Sequence, residues 1–68
     1  MTKYILSSGS SVISDITTVK GTLVGYTTIN VAEQAVQFET IGEAMEAASK
    51  VNEILGQALY RAIPIDIN

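Results

Sequence analysis

The stretch from Phe38 to Gly56, FETIGEAMEAASKVNEILG, spells out a helix with its start, its stop and both faces. Thr40 followed three residues later by Glu43 is a capping box, which satisfies backbone N–H groups that the first turn leaves unpaired. Gly56 supplies the left-handed conformation that commonly ends a helix. Apolar residues recur at Ile41, Ala44, Met45, Ala48, Val51 and Leu55, the 3.6-residue spacing of a helix laid on a core. Ala47 and Ile54 fall on the flank opposite Met45 and widen the apolar stripe to roughly half the circumference.

Working outward, Lys3–Ser7 reads as a first strand. Residues 7–14, SSGSSVIS, hold five serines and a glycine and are expected to form a flexible loop. From Val12 to Thr28 the chain is dense in Val, Ile and Thr, whose stiff χ1 suits a pleated surface, and Lys20-Gly21 divides it into strand, turn and strand. Asn30 is placed to cap a single helical turn over Val31–Gln34. Ala35–Glu39 then reads as a strand with Val36 and Phe38 on one face. After the helix, residues 57–68 alternate, with Leu59, Arg61, Ile63, Ile65 and Ile67 on one side and Tyr60, Ala62 and Pro64 on the other. Pro64 cannot donate to a ladder, so this strand is either an edge or has its end beyond pairing. The expected architecture is a single α+β domain over residues 1–68. It has four to five antiparallel strands and one amphipathic helix packed on a face.

Composition narrows the function. The 68 residues include no cysteine and no histidine, so disulfides, thiolate metal sites and the side chain best suited to proton transfer near neutral pH are all missing. A serine nucleophile would have only lysine as a base, and the acids lie on the wet face of a helix instead of facing each other across a pocket. A substrate pocket is hard to enclose in one core of this size; a pocket between subunits is the one loophole. No catalytic residue, cofactor or metal ligand is therefore expected, and the chain is read as not an enzyme. Four scattered basic residues and a net charge of −3 argue against direct nucleic-acid binding. Nothing resembles a membrane span or a signal peptide, and the expected location is cytoplasmic.

Charged residues are only 16% of the chain, against about 25% in typical domains, although a small domain has proportionally more surface to solvate. Ser and Thr cover part of that surface, and another chain is expected to cover the rest. Self-association into a homo-oligomer is one such arrangement, since it enlarges a marginal core. Glu43, Glu46, Lys50 and Glu53 line the helix's outer face and read as a solvated stripe with a Glu46–Lys50 pair. Ala47, Ile54, Tyr60 and Arg61 are the residues expected at an interface with a protein partner or a second copy.

The segment Ala35-Val36-Gln37-Phe38-Glu39-Thr40-Ile41-Gly42-Glu43-Ala44 resembles a step found in small accessory proteins of bacteriophages and prophages. Those proteins run from a tyrosine-containing strand through a hairpin into one helix and a closing strand rich in Ile and Val. The matching residues here are Tyr4, Ala35, Phe38, Thr40, Glu43 and Ala44, with Ile63, Ile65 and Ile67 closing. The serine-rich insertion and the scarcity of lysine depart from that pattern. The resemblance implies a non-catalytic phage product, of a kind of which some bind and inhibit a host protein, and it assigns no functional residues. A self-assembling module and a small-molecule binder at a subunit interface are the alternatives.

Overall fold

The structure, a computed structural model, describes residues 2–66. It contains strands β1 (Thr2–Ser7), β2 (Val12–Val19), β3 (Thr22–Ile29) and β4 (Arg61–Asp66), a 3-10 turn at Ala32–Gln34 and one helix, α1 (Ile41–Leu55). The strands form one antiparallel sheet in the order β3-β2-β1-β4, with α1 across one face, as the α+β reading expects. Ile67, expected in the last strand, lies outside the described residues.

The helix ends are set by local chemistry. The Glu43 N–H donates to the Thr40 hydroxyl at 3.2 Å, and that hydroxyl donates to the Glu43 carboxylate at 3.0 Å, closing the two side chains on each other. Gly56 takes φ 79°, and its N–H reaches the Asn52 carbonyl at 2.8 Å. The buried stripe is rotated from the expected one. Ala44, Ala47, Ala48 and Val51 are buried, whereas Ile41 and Met45 stand 49% and 59% exposed. Three alanines let the helix approach Leu6, Ile13 and Leu23 closely, and the bulkier side chains flank that contact.

The sheet is apolar on both faces. Opposite the helix, Ile5, Val12 and Ala35 form a second small core with Ile29, Ile63 and Ile65. Ile5 is only 1% exposed there because the return segment after β3 brings Ala35 over it.

That return segment also enters the sheet. β1 and β2 are paired only at Ser7↔Val12 and diverge beyond it. Into the opening comes the chain before the helix: the Val36 N–H donates to the Ile13 carbonyl at 3.0 Å, while Tyr4 and Phe38 exchange both bonds at 3.0 and 2.8 Å. The expected strand over Ala35–Glu39 is thus a single bridge. Its alternation survives, with Val36 and Phe38 on the helix side and Ala35 opposite, but two diverging neighbours allow no ladder with either.

Other expectations shift at their edges. The expected loop over residues 7–14 is a turn confined to 8–11, since Ser7 belongs to β1 and Val12–Ser14 to β2. The Ser8 N–H donates to the Ser11 carbonyl at 3.0 Å, and the Ser8 hydroxyl accepts the Ser11 N–H at 3.2 Å. Asn30 caps nothing, because the 3-10 turn starts after Val31 with no side-chain cap. Lys20 and Gly21 form the β2–β3 turn with φ 53° and 81°, both positive as a type I′ hairpin requires. The last strand begins at Arg61, not at residue 57, and β4 is an edge. Pro64 lies opposite Tyr4, whose backbone bonds are spent on Phe38, so this register asks no donor of Pro64.

Candidate protein-binding groove

Two side-by-side depressions run along one flank of α1, between the helix and the β2–β3 hairpin. The first, about 190 Å³, has a floor of Ile16, Leu23, Phe38 and Ala47. Glu43, Glu46 and Lys50 stand along its helical rim. The second, about 420 Å³, shares Leu23 and Lys50 with the first and extends to Gly21, Glu53 and Ile54. Together they form one groove along the helix.

Each wall follows from the chain's local behaviour. Leu23 reaches the helix side because β3 carries an extra residue where Thr17↔Gly25 steps to Thr18↔Leu23, leaving Val24 bulged outward. Phe38 is held in place by its bridge to Tyr4. Glu43, Glu46, Lys50 and Glu53 recur at intervals of three and four, so the solvated stripe of the sequence doubles as the groove's rim. Lys50 and Glu46 pair at 3.4 Å, and three carboxylates against one ammonium leave the rim acidic. What the groove offers is apolar contact bordered by negative charge.

The four expected interface residues are not brought together. Ala47 and Ile54 lie on this flank, and Ile54 stands 48% exposed at the groove's far lip. Ala47, on the flank that widens the apolar stripe, is buried in the core and forms part of the floor. Tyr60 and Arg61 lie on the other side of the helix, beside Met45, Ser49 and Asn52. Arg61 is exposed, but Tyr60 is a core residue. Its ring meets Tyr26 edge-on at 6.2 Å and 67°, and its hydroxyl lies 3.2 Å from that of Ser11. An amphipathic ring reads alike in a core and in an interface, so sequence alone could not separate the two.

Sequence reasoning missed Ile16, Leu23 and Phe38 as groove residues. Only Phe38 carried a signal, its place two residues before the N-cap Thr40. Among the described residues no three His, Cys, Asp or Glu side chains converge to hold a metal ion. No helix among them is long and apolar enough to cross a membrane. Comparison with models of known protein families, with curated protein sequences and with solved structures gave no match.

Proposed function

We propose that this chain is a non-catalytic accessory protein of the bacteriophage or prophage kind, acting by protein–protein contact through the α1/β2–β3 groove. The observation that carries the reading is the coincidence, along one helix flank, of an apolar floor and an acidic rim. A target segment of matching chemistry places one or two apolar side chains on Leu23 and Ala47 and flanks them with Lys or Arg facing Glu43, Glu46 and Glu53. The low charge of the chain and its lack of histidine and cysteine support binding over catalysis. The target class is a host defence or replication factor in the host cytoplasm, inhibited by occlusion of the bound segment.

The test is capture from host lysate with three baits: the wild-type chain, Ile54→Glu on the groove lip, and Met45→Glu outside the groove. A partner held by wild type and Met45→Glu but lost by Ile54→Glu supports the groove. A partner held equally by all three, or none at all, counts against it.

A further inference from the structure

We propose that the outer edge of β3 pairs with the same edge of a second copy, giving a closed two-fold dimer with one continuous sheet. The two edge strands of this sheet are built very differently. β4 has six residues, charges at Arg61 and Asp66, and Pro64 where an outward-facing donor would stand. Such features block strand addition. β3 has eight residues, TLVGYTTI, with no charge and no proline. Among the described residues no strand covers its outer side. The bulge at Val24 interrupts only its first half; the second register shift, opposite Thr27 and Thr28, places its extra residue, Ser14, on β2 and leaves Gly25–Ile29 consecutive along the outer edge.

The backbone fixes which groups face outward. The Thr27 carbonyl points inward, accepting from the Ser14 hydroxyl at 3.3 Å. Alternation along an antiparallel ladder then turns the N–H and C=O of Tyr26 and Thr28 outward. A two-fold axis at Thr27 places Tyr26 opposite Thr28 of the second copy, and each such pair exchanges both hydrogen bonds. The axis also places Ile29 beside Gly25 of the second copy, where the missing side chain leaves room for it. Self-pairing brings like residues together across the axis, so an edge without charge is what this arrangement needs. With β4 blocked, pairing at β3 closes on itself and does not propagate into a fibre.

The wild-type chain is expected to sediment at twice the mass of one chain at micromolar concentration. Thr28→Pro removes an outward donor and no inward one, and is expected to weaken association by roughly tenfold or more with the far-UV spectrum kept. Thr27→Cys, in a chain without cysteine, is expected to oxidise to a linked dimer, because facing residues in such a pair come within disulfide reach. Val19→Cys, exposed beside the hairpin turn, is expected to link much more slowly. If Thr28→Pro does not fold, the cross-linking decides. A one-chain mass for wild type, a folded Thr28→Pro that stays dimeric, or equal cross-linking of the two cysteine variants each overturns the proposal. Ile54→Glu is expected to leave the mass unchanged, so failure of the groove and failure of the edge are read separately.

Discussion

Asn52 and Tyr60 are joined by a two-way amide contact: the Asn52 Nδ2 donates to the Tyr60 carbonyl at 2.9 Å, and its Oδ1 accepts the Tyr60 N–H at 2.8 Å. The same oxygen accepts the Leu59 N–H at 3.2 Å. One side chain in the last turn of α1 therefore sets how the chain leaves the helix and enters β4. It also fixes Tyr60, whose ring and hydroxyl reach Tyr26 and Ser11.

Asn52→Ala is expected to destabilise the fold by about 2 kcal/mol, from the two partly buried bonds to Tyr60 at about 1 kcal/mol net each, the exposed bond to Leu59 adding little. Asn52→Asp keeps both acceptor contacts but turns a carboxylate toward the Tyr60 carbonyl, and is expected to be destabilising as well. Urea unfolding midpoints at constant m-value measure both. An Asn52→Ala variant as stable as wild type would show that the contact contributes nothing.

Lys20 is the one non-glycine residue with positive φ among the described residues, and it holds the first position of the hairpin turn. Asn adopts this conformation more readily, and Asn-Gly is the favoured pair for a type I′ turn. Lys20→Asn is expected to raise stability by about 0.5 kcal/mol, read as a higher urea midpoint. Lys20→Val, β-branched at positive φ, is expected to lower it.

These positions show which physics the sequence exposes. The termini of α1 were readable because Thr40, Glu43 and Gly56 act within one turn of themselves. The rotation of the helix was not readable. Alanines carry little directional signal, so the larger Ile41 and Met45 drew the expected stripe toward themselves. The segment before the helix showed its alternation in Ala35, Val36 and Phe38. Its pairing depends on β1 and β2 separating beyond Ser7↔Val12, which no local pattern encodes. Asn52 gave no signal either, since its partners lie across the helix-ending turn. The groove was half legible: the flank holding Ala47 and Ile54 was identified, but its opposite wall depends on the β3 bulge that turns Leu23 inward.

The rotated helix face makes a sharp contrast between neighbours. Met45→Glu is expected to change stability by less than about 0.5 kcal/mol, as for an ordinary exposed position. Ala44→Leu, at a fully buried site under the sheet, is expected to destabilise by roughly 1–3 kcal/mol through overpacking. Thermal melts of the two variants settle the orientation. A strongly destabilised Met45→Glu beside a tolerated Ala44→Leu would restore the stripe centred on Met45.

Ile54 gives the groove its most direct probe, because an exposed lip residue can be charged without disturbing the core. Ile54→Glu is expected to fold within about 0.5 kcal/mol of wild type, so lost binding there reports contact and not unfolding. The rim makes a second, independent demand. If Glu43, Glu46 and Glu53 attract a basic segment, association slows as salt rises, because exposed charges are screened over about 8 Å at physiological ionic strength. Glu46→Gln together with Glu53→Gln leaves Lys50 facing Glu43 as the rim's only carboxylate, and is expected to lower the association rate and flatten its salt dependence. Dissociation, governed by the apolar floor, is expected to change little. Surface plasmon resonance against a captured partner separates the two rates. An association rate that the double variant leaves unchanged at low salt would remove the electrostatic part of the proposal, and Ile54→Glu would then test the apolar part alone.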